Sequence, residues 1–230
     1  MHRAISIIFK CAMALDAAYR QGIIHRDIKP ANILFASADP NEGEVKISDF
    51  GAAIISSPDR TLVLGIGSPA YMSPQQVKDQ PLDHQTDIYS LGVVMYQLLT
   101  ARLPFQARNS YDLIYQIIHT EPRRPSAIHG DIPPSLDAIV ARAMSKKTET
   151  RYASWAEFAH DLAQAFLQPF LCGDVHFGEQ AAVSLAFSYR SHVARHDHLA
   201  AERAQPFHQR EAVDGNVRCP AQRHVMTRAT

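Results

Sequence analysis

Two short stretches carry side chains that can do chemistry together. The first is His25-Arg26-Asp27-Ile28-Lys29-Pro30-Ala31-Asn32, and the second is Asp49-Phe50-Gly51. They supply a carboxylate, an ammonium group, an amide and a second carboxylate. Phosphoryl transfer asks for that set: a carboxylate to orient the attacking hydroxyl, cations on the phosphate oxygens, and ligands for a metal. Asp27 can accept a hydroxyl proton and Lys29 can neutralise phosphate charge. Asn32 with Asp49 can hold magnesium through hard oxygen ligands.

The elements around these residues must bring the two stretches side by side. Residues 4–21 read as a helix, because Ile5, Ile8, Phe9, Ala12, Leu15 and Tyr19 fall on one face at helical spacing. Gly22 suits the left-handed turn that ends it. Residues 33–36 and 44–48 read as short strands, and Asp39-Pro40-Asn41-Glu42-Gly43 supplies turn chemistry for a hairpin. The first stretch therefore precedes one strand and Asp49 ends the next. Residues 52–72 lack periodicity and read as a long loop. Residues 83–100 read as a central helix, apolar around most of its circumference through Ile88, Leu91, Val93, Val94, Met95, Leu98 and Leu99. Residues 110–119, 135–145 and 154–168 read as three further helices, with Ser135 and Ser154 as N-caps.

Both strings, in this order and at a hairpin's separation, resemble the catalytic loop and metal loop of eukaryotic-type (Hanks-type) serine/threonine protein kinases, with wording similar to bacterial members. The resemblance covers roughly residues 1–168. It implies the large C-terminal lobe of that fold: mainly α, a helical bundle with a short β-hairpin carrying the two loops. It also implies ATP and Mg2+, and a protein substrate with a Ser or Thr acceptor. Asp27, Lys29 and Asn32 match the catalytic positions, and Asn32 and Asp49 match the metal ligands. Lys29, Leu34 and Asp49 match nucleotide-contacting positions, Leu34 lying under the adenine ring. On its own, Leu34 reads as ordinary core.

Further matches lie downstream. Gly67-Ser68-Pro69-Ala70-Tyr71-Met72-Ser73-Pro74 resembles the substrate-docking end of an activation segment. Ser68 there fits the hydroxyl that bonds near the catalytic aspartate. Asp87 matches the aspartate that accepts hydrogen bonds from the catalytic-loop backbone. His25, Phe50, Gly51 and Arg151 match structural positions. Arg26 beside Asp27 implies regulation by a phosphate on the loop, with Thr61 the first candidate and Ser56 and Ser57 behind it. Where the family has a glutamate paired to the arginine matched by Arg151, this chain has Gln75. That loss leaves a buried charge under-compensated, at a cost on the order of 3 kcal/mol.

The domain begins later than the family's. No glycine-rich phosphate loop and no VAIK-like strand occurs in the 230 residues, and Lys46, directly ahead of Asp49, is not the missing lysine. The expectation is a truncated kinase domain, residues 1–168, with the small β lobe absent and little activity alone. Two alternatives stand beside it: an inactive kinase fragment or scaffold, and a small-molecule phosphotransferase of related fold. Lys29 and residues 67–74 argue against the second.

Composition bounds the rest. Net charge is zero and 46% of residues are hydrophobic, so nothing calls for nucleic acid or an anionic membrane as an obligate partner. Cys11, Cys172 and Cys219 form no paired motif, which fits a reducing cytoplasm. No segment reads as membrane-spanning, and oligomeric state is not legible. Residues 169–230 contain seven arginines and six histidines but no lysine. They read as a tail of uncertain fold, disordered or an out-of-frame translation of GC-rich DNA. His192, His196 and His198 lack the accompanying cysteines or carboxylates of a metal site.

Overall fold

A computed structural model describes residues 1–35, 45–50 and 69–171. The hairpin turn, Gly51, Ser56, Ser57, Thr61, Ser68 and everything from residue 172 onward lie outside the described residues.

Helix α1 runs His2–Arg20. Its end forms a Schellman motif: the Gly22 N–H donates to Tyr19 C=O at 2.8 Å and the Ile23 N–H to Ala18 C=O at 3.1 Å. That closure needs a left-handed residue, and Gly22 supplies φ +77° at no steric cost. The face buried by α1 is the one the spacing predicts, Ile5, Ile8, Phe9, Ala12 and Leu15, with Cys11 and Asp16 added. Burying five such apolar side chains contributes about 10 kcal/mol before chain entropy is counted. Tyr19 departs from the expectation. It is 42% exposed and stacks on His84 at 4.3 Å, because the chain turns away from the core at the helix end.

Strands β1 (Ile33–Phe35) and β2 (Val45–Ile47) pair antiparallel, with Ile33 opposite Ile47 and Phe35 opposite Val45. Helix α2 is one turn, Pro74–Val77, capped by Ser73. Helix α3, His84–Thr100, is the centre of the fold and packs against α1 and α5. Asp83 caps its start by accepting from the Gln85 N–H at 3.0 Å, and Ala101 at φ +56° ends it. Residues Thr86 through Tyr96 are all buried, as the apolar run predicts, but Leu98 is 43% exposed. Gly92 lets α3 and the C-terminal end of α5 approach: a Cβ there would lie 2.9 Å from the Ala143 Cβ.

Helices α4 (Ser110–His119), α5 (Pro134–Ala143) and α6 (Trp155–Leu171) complete the bundle. Ser154 caps α6, accepting from the Glu157 N–H at 3.2 Å. Ser135 caps nothing: Pro134 takes the first helical position, where its missing N–H costs no bond, and Pro133 becomes the cap residue. α6 packs on α1 and α5, so the N- and C-terminal helices of the described chain close one core. Among the described residues no helix is long and apolar enough to cross a membrane.

Candidate active site

The loop between α1 and β1 takes its shape from a buried carboxylate on α3. Asp87 is 2% exposed and accepts from the His25 N–H and the Arg26 N–H, each at 2.7 Å. Burial pushes the Asp87 carboxyl up, and the two backbone donors pull it back toward the ionised form. Arg26 sits at φ +68°, a left-handed backbone that costs a non-glycine residue about 1 kcal/mol or more. The paired donation to Asp87 offsets that strain.

His25 is buried, and its two ring nitrogens have distinct partners. Nε2 donates to the Ser48 carbonyl at 2.9 Å, and Nδ1 accepts from the Asp27 N–H at 3.3 Å. These contacts select the neutral Nε2–H tautomer. The ring also meets Phe50 at 4.6 Å between centroids. One imidazole thus joins the loop before β1 to the residues after β2.

The chemical groups gather on this frame. Lys29 Nζ lies 2.6 Å from Asp27 Oδ2. Asn32 donates from Nδ2 to the Asp27 carbonyl at 2.8 Å and to Asp27 Oδ2 at 3.3 Å. The Ser48 N–H donates to the Asn32 carbonyl at 2.9 Å, extending the β1–β2 ladder by one bond. Asn32 and Asp49 are therefore brought to neighbouring strand ends, Asp49 in a left-handed conformation at φ +64°. Leu34 is not core: it is 49% exposed on β1. Lys46 is exposed on β2.

These observations agree with what known sequences show. A family model described as "Protein kinase domain" matches residues 1–169. The chain belongs to the protein kinase family. It is 39% identical over 165 residues to the serine/threonine-protein kinase PknB of Mycolicibacterium smegmatis, covering 70% of this chain and 26% of that protein. It is 38% identical over 167 residues to PknB of Mycobacterium tuberculosis, with 70% of this chain and 26% of that protein covered. Against the serine/threonine-protein kinase Pkn1 of Myxococcus xanthus it is 37% identical over 170 residues, 71% of this chain and 24% of the other. The chain thus spans about a quarter of the length of these curated relatives, and the three named here are bacterial serine/threonine-protein kinases.

Away from the chemistry, the kinase fold is pinned by Arg151, which is 2% exposed. Its guanidinium donates to the carbonyls of Ser145 (2.8 and 3.1 Å) and Gln85 (2.8 Å) and to Gln75 Oε1 at 3.2 Å. The charge is better compensated than the replacement of a glutamate by Gln75 predicts, because backbone carbonyls take most of the donors. Burial still lowers the guanidinium to about 10. Motif reading missed Gln76 and Ser48. Gln76 Nε2 donates to the Arg26 carbonyl at 2.6 Å while its Oε1 accepts from the Ser73 N–H at 2.9 Å. The capping pattern Ser73-x-x-Gln76 is readable in sequence, but its reach to Arg26 is not.

Proposed function

We propose that this chain provides the catalytic lobe of a serine/threonine protein kinase, moving the γ-phosphoryl group of ATP onto a Ser or Thr hydroxyl of a protein substrate. The observation that carries the reading is the Asp27 carboxylate, bracketed by Lys29 Nζ and Asn32 Nδ2 on a loop fixed by Asp87. Asp27 orients the acceptor hydroxyl and takes its proton as the oxygen bonds to the γ-phosphorus. The bond from phosphorus to the β–γ bridging oxygen breaks, and ADP leaves with that electron pair. Lys29 is partly exposed beside Asp27 and neutralises charge on the transferring oxygens.

The donor set fits Mg2+. The Asn32 amide orients Nδ2 toward Asp27, leaving Oδ1 as its cation donor, and the Asp49 carboxylate is a second hard oxygen. Two protein ligands suit an ion that keeps water and phosphate oxygens around it, and such an ion neutralises phosphate charge. Leu34 offers exposed apolar surface for the adenine ring. Arg26 Nε is buried and has no hydrogen-bond partner among the described residues, which supports a role in pairing with a phosphate on Thr61. A cytoplasmic setting suits this reading, since it supplies ATP.

The second reading is a non-catalytic kinase-fold module. It draws on the family match, which fixes the fold and not turnover. Phosphate transfer from labelled ATP to a protein substrate in Mg2+ separates the two. Transfer that falls by at least about a thousandfold in Asp27→Ala supports the kinase reading, by analogy with removal of other catalytic bases. Transfer that survives Asp27→Ala rejects it.

A further inference from the structure

Arg26 adopts φ +68°, a conformation a non-glycine residue leaves unless the surrounding structure holds it. Its N–H is held from α3 by Asp87 Oδ1 at 2.7 Å. Its carbonyl is held from α2 by Gln76 Nε2 at 2.6 Å. The same peptide plane ends in the Asp27 N–H, which donates to His25 Nδ1 at 3.3 Å. Gln76 is itself locked: its Oε1 accepts from the Ser73 N–H at 2.9 Å and its own N–H donates to Ser73 Oγ at 3.3 Å.

We propose that Gln76 is a positioning residue for Asp27. It fixes the Arg26–Asp27 peptide plane from helix α2, and rotation of that plane swings the Asp27 carboxylate away from Lys29 and Asn32. Helix α2 begins just after the 69–73 segment, so the arrangement ties the conformation of that segment to the orientation of the carboxylate. The inference rests on the reading of Asp27 as the proton acceptor, but the clamp itself is testable without turnover.

The discriminating variant is Gln76→Glu in the full chain. Glutamate at this position completes the capping box as well as glutamine does, because its oxygen still accepts from Ser73. It has no proton to give the Arg26 carbonyl. Hydrogen exchange read by mass spectrometry on a peptide spanning residues 25–29 should rise severalfold, while peptides from α3 and α6 are unchanged. In phosphate transfer, kcat should fall roughly tenfold with the KM for ATP unaltered, the effect of about one hydrogen bond. Unchanged exchange in residues 25–29 overturns the proposal, whatever the activity shows. So does a Gln76→Glu chain that fails to fold, since the side chain then serves the fold and not the loop. Transfer that survives Asp27→Ala rejects the kinase reading and leaves the exchange result to decide the clamp.

Discussion

Replacing Gln75 by glutamate tests how a buried cation is balanced in this lobe. Arg151 is 2% exposed, and burial lowers its guanidinium well below its ordinary value, to about 10, a penalty on the order of 3 kcal/mol against the charged form. Three of its contacts go to backbone carbonyls, two to Ser145 and one to Gln85, so only the 3.2 Å bond to Gln75 Oε1 is open to redesign. Both Ser145 contacts share one oxygen, and the bond to Gln75 is the longest of the four. A carboxylate there converts a neutral hydrogen bond into a charge-assisted one, a gain of about 1–2 kcal/mol. The cost of burying a carboxylate is contained by its partner, as in other paired buried ions. Gln75→Glu should therefore raise the thermal midpoint by roughly 2–8 °C for a chain of this size, measured by circular dichroism at pH 7. The new carboxylate has its folded value depressed by Arg151 below the usual value of about 4.3. Its added stability is thus fully present above that value and lost as pH falls through the folded one. The same substitution in an Arg151→Met background should destabilise. A midpoint at pH 7 that is unchanged or lower, or a gain that persists at about pH 2, refutes the reasoning.

Two further perturbations test the packing. Gly92→Ala should lower the midpoint, because its Cβ would meet the Ala143 Cβ at 2.9 Å and Met144 Cγ at 3.1 Å, and overpacking of this kind costs about 1–3 kcal/mol; adding Ala143→Gly should restore most of the loss. Lys146 Nζ bonds the Ile117 carbonyl at 2.8 Å beneath the Phe105 ring, and burial lowers it from 10.5 to about 8. The unfolded chain then binds more protons than the folded one between those values, so stability should rise from pH 8 toward 10.5, and Lys146→Met should flatten that rise in a pH series of urea unfolding curves. With Asp27→Ala and Gln76→Glu, these substitutions separate loss of chemistry from loss of fold.

The elements were legible where one physical signal dominated. Helix α1 follows from its apolar spacing and from Gly22, and α4 is legible at 110–119, although its Asn109 cap is not. The expected cap at Ser135 failed because a proline outcompeted a hydroxyl for the start of α5. Tyr19 and Leu98 were misplaced for a related reason: periodicity assigns a face but does not say where the core ends along the helix. Leu34 shows the converse, an apolar residue whose exposure is decided by what covers the strand and not by its type.

The chemistry was set by the chain alone. Asp27, Lys29, Asn32 and Asp49 are the groups to which the proposed phosphoryl transfer is assigned, and short-range order along the sequence already places three of them on one loop. What only the tertiary structure decided is how that loop is held. Asp87 lies 60 residues or more along the chain from His25 and Arg26, and Gln76 is 50 residues from Arg26, yet together they fix the left-handed backbone beside Asp27. Hydrogen bonds of that span depend on helix packing, which no local propensity encodes, so the reacting groups can be read from the sequence and their orientation cannot.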